Sequence, residues 1–217
     1  QQEQHRFPLQ LKQKPEVNPS MGFRSIRICL AKPEMFQTQL RAIYRASVFG
    51  NLSVMYPMII SVEELSRIRV ITEEVKESLR SEKLPYKDAL PFDPKVGIGL
   101  VIETPASVIL SPELAKKVNF FHIDTNDLVQ YTLAVDRQNP RVTRYYNTHH
   151  PAVMRMIQMV IAAAHNAGIQ VTISGDMADD ESLLGWFIRS GVDGINVSAA
   201  SVLPLRRRVR NLDLNEG

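Results

Sequence analysis

The 217-residue chain has one cysteine, Cys29, so it can build neither a disulfide framework nor a cysteine-based zinc site. Aromatic residues are only 7% of the chain, and the 44% hydrophobic content is carried by Ile, Val, Leu, Met and Ala. That balance favours a mixed α/β fold over an all-β sandwich. No apolar run approaches the ~18 residues that a membrane span needs. The opening residues, Gln1-Gln2-Glu3-Gln4-His5-Arg6, contain no apolar signal core. Basic residues outnumber acidic ones by only 26 to 23, too small an excess to imply nucleic acid. No Gly-rich phosphate loop follows the first strand-like segment, which removes the main residues of a Rossmann or P-loop site. These absences leave a globular protein, expected in the cytoplasm, long enough for one sizeable core.

Residues 1–20 are polar and rich in Gln, Lys and Pro, and are expected to be a tail or linker. From residue 21 to 217 the pattern alternates. Apolar runs of strand length recur at Leu52–Ile60, Val96–Ile102, Val118–Ile123, Ile169–Ile173 and Val192–Val197. Continuous apolarity predicts strands buried on both faces, as in a parallel sheet. Helical spacing appears between them. Pro33–Val48 repeats Phe36, Leu40 and Ile43 on one face, and Pro151–Ala167 repeats Val153, Ile157, Val160, Ile161 and Ala164 before Gly168. Ser61-Val62-Glu63-Glu64 matches a capping box and predicts a helix to about Lys83. Ser111-Pro112-Glu113 reads as a further helix start. Strands alternating with helices mean βα units, whose chemistry belongs at the C-terminal ends of the strands.

Those ends carry Pro57, Glu103-Thr104-Pro105, Asp124-Thr125-Asn126-Asp127 and Ser174-Gly175-Asp176. Glu103 and Asp127 end successive strands, so their side chains can converge above the sheet. Two carboxylates with waters and substrate oxygens suit Mg²⁺. The alternative is that Glu103 caps a turn and Asp127 opens a helix near Leu128. Arg24 and Arg137 could fix an anion beside the metal, or be surface arginines. Arg137 stands about three turns beyond Asp127 along a possible helix. The five histidines lack metal-ligand spacing, His149-His150 read as loop residues, and Arg206–Arg210 reads as a solvated helix face.

The block Phe120-Phe121-His122-Ile123-Asp124-Thr125-Asn126-Asp127-Leu128-Val129-Gln130-Tyr131-Thr132-Leu133-Ala134-Val135-Asp136-Arg137 resembles a signature of enzyme I. That family comprises the phosphoenolpyruvate–protein phosphotransferases of the bacterial sugar phosphotransferase system. Further blocks agree in order: Asn18-Pro19 through Gly22-Phe23-Arg24-Ser25-Ile26-Arg27, Gln39–Ile43, Tyr56-Pro57-Met58-Ile59, Ile102–Ala106 and Ser174–Ala178. The resemblance implies about the last five βα units of a (β/α)₈ TIM barrel that binds phosphoenolpyruvate and Mg²⁺. It implies Glu103 and Asp127 as metal ligands, and Arg24, Asn126, Asp127 and Arg137 as substrate-binding residues. It also implies homodimerisation through this domain. A phosphocarrier partner would be engaged through the family's N-terminal half, which carries the phosphoacceptor histidine in a Thr-Ser-His-Ala-type context. None of the five histidines here has those neighbours, so the chain alone is not expected to complete phosphoryl transfer.

Several residues depart from the family pattern. Ser174 stands where the family has Cys, the acid that protonates the enolate of pyruvate. An alcohol is a far weaker acid than a thiol of pKa ~8.5, so Ser174 is expected to slow that step. Asp124 replaces a Gly, Asp176 shortens a Glu, and Asp179 replaces a Gly. Two readings follow, an enzyme part and a non-catalytic barrel remnant that dimerises or regulates. Another phosphoenolpyruvate/pyruvate barrel lyase is a third, but leaves the Thr125–Arg137 block unexplained.

Overall fold

A computed structural model describes residues 16–82 and 91–213; most of the expected tail, residues 1–15, lies outside them. The chain order is α1 (Ile26–Ala31), α2 (Pro33–Ala46), β1 (Ser53–Tyr56), α3 (Val62–Arg80), β2 (Gly97–Ile102), α4 (Pro105–Ile109), α5 (Ser111–Ala115), β3 (Phe120–Asp124), α6 (Thr125–Leu133), α7 (Pro151–Asn166), β4 (Gln170–Ser174), α8 (Leu184–Ser190), β5 (Gly194–Ile195) and α9 (Ala199–Asn211). The five strands are all parallel and lie in sequence order. This is the α/β architecture of a partial (β/α)₈ barrel.

Local chemistry explains most of the boundaries. Ser61 accepts a hydrogen bond from the Glu64 amide at 3.1 Å, and the Glu64 carboxylate accepts from the Ile60 amide at 2.7 Å. Two orphan donors at the start of α3 are thereby satisfied, with Glu64 reaching one residue beyond the cap. The apolar stripe of α7 is buried as its spacing predicts, and the helix ends at Ala167 with Gly168 at φ +70°. At α5 the cap position is Leu110, so Ser111 is already helical and Pro112 is second rather than first. Helices α1 and α8 were not foreseen. One has six residues and the other contains Gly185, too little for a periodic signal. Helix α9 has no buried residue, in line with a solvated basic face, and Arg208 pairs with Glu181.

The expectation that the strands are buried on both faces fails. Helices cover one face, where Val54, Tyr56, Leu100, Phe121, Ile123 and Ile173 are all buried. The other face is half-open, with Met55 46% exposed and β4 alternating in burial along its length. Eight strands fill a barrel with their own inward side chains; the five described here do not close one. The core therefore sits between sheet and helices, with α7 packed on α4, α5 and β4, and α2 on α3.

Candidate active site

The C-terminal ends of β2, β3 and β4 meet the first turns of α4 and α6. Neither Glu103 nor Asp127 caps a helix. Thr104 caps α4, accepting from the Ser107 amide at 3.1 Å, while the Ser107 hydroxyl lies 3.3 Å from the Thr104 amide. Asp124 caps α6, accepting from the amides of Asn126 and Asp127 at 3.0 and 3.3 Å. Asp124 takes an ordinary extended backbone, with φ −91° and ψ 104°, and its charge faces the positive end of α6.

Glu103 is 4% exposed, and its Oε1 accepts from the Met58 amide at 2.5 Å. Burial, and then the charge of Asp127, push the Glu103 carboxyl up to about 8. Asp127, 5% exposed, pairs with Arg24 (3.7 Å) and Arg137 (3.6 Å). Arg24 also donates to the Tyr131 hydroxyl at 3.5 Å, and Tyr131 donates to the carbonyl of Ser20, tying the segment before α1 to α6.

Arg137 reaches Asp127 by a route that the helical reading does not contain. Helix α6 stops at Leu133, and Ala134 takes a left-handed conformation (φ 54°, ψ 41°). Three turns of helix would have carried residue 137 about 15 Å away along the axis. The turn sends it back instead, and the Gln130 side chain accepts from the Arg137 amide at 3.1 Å. Among the described residues, three non-glycines have positive φ, namely Ser25, Met58 and Ala134. One adjoins Arg24, one donates to Glu103, and one returns Arg137. Such backbone costs of order 1–3 kcal/mol per residue and gathers at sites that need a particular geometry.

Asn126 is held by Asp176 from two sides. Its Nδ2 donates to the Asp176 carboxylate at 3.3 Å, and its Oδ1 accepts from the Asp176 amide at 2.7 Å. Ser174 lies beside this pair, its carbonyl accepting from the Thr125 hydroxyl at 2.8 Å. Gly175 follows at φ +101°, where a Cβ would come within 2.3 Å of Thr125 Oγ1. The Ser174 hydroxyl sits 2.8 Å from Nε2 of His122, a residue given no role from the sequence. The signal existed: one polar ring in the apolar run Phe120–Ile123, two positions from the strand end. Elsewhere, His150 caps α7 through Nδ1, which accepts from the Ala152 amide, and His149 pairs with Asp180 at 2.7 Å.

The chain that carries these two buried carboxylates, two arginines and an amide is matched along most of its length by a family model. The model described as PEP-utilising enzyme, PEP-binding domain, covers residues 3–214. The chain belongs to this family. Phosphoenolpyruvate-protein phosphotransferase of Priestia megaterium is 43% identical over 197 residues, 91% of this chain and 33% of that protein. The Bacillus subtilis (strain 168) protein of the same name is 41% identical over 201 residues, 93% of this chain and 34% of its own length. The chain thus spans about a third of the length of the curated relatives it matches. Among solved structures, a citrate lyase from Burkholderia xenovorans LB400 superposes with a TM-score of 0.56 at 17% identity, over 78% of this chain and 52% of that one. An HpcH/Hpal aldolase/citrate lyase family protein from Burkholderia cenocepacia J2315 gives 0.50 at 16% identity, over 83% and 68%. These two share the fold alone. No helix among the described residues is long and apolar enough to cross a membrane.

Proposed function

We propose that residues 21–217 form the phosphoenolpyruvate- and Mg²⁺-binding part of a phosphoenolpyruvate–protein phosphotransferase, preceded by a tail or linker at residues 1–20. The observation that carries this reading is Asp127, buried beside Glu103 and flanked by Arg24 and Arg137. Two buried carboxylates that repel each other, one of them pushed up to about 8, are a donor set that a hard divalent cation would relieve. Glu103 and Asp127 would hold it, and Mg²⁺ bound there would offset charge developing on the phosphoryl and enolate oxygens.

The chain's own residues do the rest. Arg24 and Arg137 exchange their pairs with Asp127 for the phosphate and carboxylate of the substrate, and so fix its orientation. Asn126, locked by Asp176, offers its second N–H to a substrate oxygen. Ser174 stands where the enolate must gain a proton at C3. Transfer onward to a phosphocarrier protein would use the part of the relatives that this chain does not span, and no such turnover is expected from these 217 residues alone. Homodimerisation belongs to the same proposal, and analytical ultracentrifugation reads it.

Titration calorimetry of the chain with Mg²⁺, then phosphoenolpyruvate, tests this reading. Glu103→Gln should weaken Mg²⁺ at least tenfold. Arg137→Ala should weaken phosphoenolpyruvate about 10–100-fold, the worth of a charge-assisted contact, while leaving Mg²⁺ bound. A folded chain that takes up neither ligand overturns the proposal and leaves the non-catalytic remnant.

A further inference from the structure

We propose that His122 is the proton source behind Ser174, so that the two act as a relay that replaces a single acidic side chain. The inference rests on the proposed reading of the site, and adds to it a residue which that reading does not use.

Strands β3 and β4 pair in register, with His122 opposite Thr172 and Asp124 opposite Ser174. Alternation puts His122, Thr172 and Ser174 on the same half-open face. The imidazole is 8% exposed and spans two hydroxyls, with Nδ1 2.8 Å from Thr172 Oγ1 and Nε2 2.8 Å from Ser174 Oγ. Asn196, just after β5, brings its side-chain Nδ2, a donor, to 3.4 Å from Nδ1, a long contact that is a hydrogen bond only while Nδ1 carries no proton. Hydroxyls both donate and accept. As imidazolium, the ring donates to both. As neutral imidazole with Nδ1–H donating to Thr172, its Nε2 lone pair accepts from the Ser174 hydroxyl. Both contacts therefore survive a change of charge, which a proton relay requires and a purely structural contact does not.

Burial holds the His122 pKa below its ordinary value, and the Asp124 carboxylate on the same strand opposes that shift. The groups facing it from β4 and from the end of β5, Thr172, Ser174 and Asn196, carry no charge. An imidazole is a side chain that can lose and regain a proton, which an alcohol near neutrality cannot do by itself.

The C2=C3 pair of the enolate forms a bond to the Ser174 hydroxyl proton, and the C2–O⁻ becomes the carbonyl of pyruvate. The O–H bonding pair remains on Oγ, which takes the Nε2 proton of the His122 imidazolium. Neutral imidazole results and is reprotonated from water. In reverse, neutral His122 accepts the hydroxyl proton as Oγ takes one from the methyl group of pyruvate.

The reverse direction gives a test that needs no phosphoacceptor histidine. The full chain with pyruvate and Mg²⁺ in deuterated water is followed by proton NMR for loss of the methyl signal, with pyruvate and Mg²⁺ binding measured alongside. His122→Gln should slow the exchange by about 10²-fold or more when Ser174 is present. In the Ser174→Cys background the same change should cost no more than about threefold, because a thiol of pKa ~8.5 carries its own exchangeable proton. His122→Asn serves if His122→Gln does not fold. Equal losses in both backgrounds would make His122 structural and overturn the relay, as would no loss with Ser174 present. No exchange by any variant, with pyruvate and Mg²⁺ still bound, overturns the relay and leaves the site reading standing. Absence of binding removes the site reading, and the relay falls with it.

Discussion

The two faces of the sheet obey different rules. The outer face packs Leu100, Phe121, Ile123, Val171 and Ile173 against helices with essentially no exposure. The inner face mixes polar and apolar residues, Met55, Phe120, His122, Thr172 and Ser174 among them, and along β3 it turns from apolar Phe120 to polar His122 and Asp124. On the outer face an unpaired polar group would cost about 1–3 kcal/mol; among the described residues the strands place none there, and in the covering helices only the hydroxyls of Tyr44 and Ser111 are buried without a hydrogen-bond partner. On the inner face His122, Thr172 and Ser174 partner one another across neighbouring strands, and little apolar surface is sealed. Stability is thus concentrated on one side of a single sheet, and the proposed chemistry on the other.

That contrast predicts an ordering of effects. Phe121→Ala, at a fully buried outer position, should cost about 3–5 kcal/mol in chemical denaturation; a loss below about 1 kcal/mol would break the comparison. Gly175→Ala sits at the boundary, where positive φ and the approach to Thr125 oppose any side chain. A loss of about 1–3 kcal/mol is expected, together with weaker ligand binding, because Ser174 and Asn126 would shift.

Glu103 gives a third, pH-dependent effect. Its folded pKa of about 8 lies above the ~4.3 of an unfolded Glu. Between those values the folded state holds a proton that the unfolded chain has lost, so stability falls as pH rises. In chelator, the melting temperature should decline from about pH 5 toward 8, with the acidic side favoured, and Glu103→Gln should flatten that slope. A slope unchanged by the substitution would assign it to other groups. Met55→Ser is the smallest. At 46% exposure it should stay within about 0.5 kcal/mol, and a core-sized loss would mean that something in solution covers the inner face.

What could be read from the sequence follows from the range of the forces involved. Helix α7 was legible because its stripe repeats four times and a Pro and a Gly punctuate it; α3 because Ser61 and Glu64 act within one turn. Glu103 was legible just past the end of β2, whereas Asp127 lies in the first turn of α6, which begins at Thr125 and is capped by Asp124. Arg137 was placed on a helix because the left-handed turn at Ala134 has no local signature; Gly or Asn would have announced it. His122 has no legible role in the sequence because its meaning depends on register with Thr172 and Ser174 some fifty residues away, and register is set by packing of the whole sheet. Burial on one face rather than two is not legible, because an apolar run does not reveal how many strands share an interior.

The strand order bears on how the chain acquires its structure. Each strand pairs only with its predecessor and successor in sequence. The shortest closure joins Gly99 to Phe120, and the longest joins Phe120 to Gln170. Loop entropy grows only logarithmically with length, so these closures differ by less than about 1 kcal/mol. No pairing has to wait for a distant segment, and the sheet can extend one unit at a time. During synthesis, at about 5–20 residues per second, β2 and β3 can pair before β4 has left the ribosome. The carboxylates of Glu103 and Asp127 would then be brought together before Ser174 exists to complete the site.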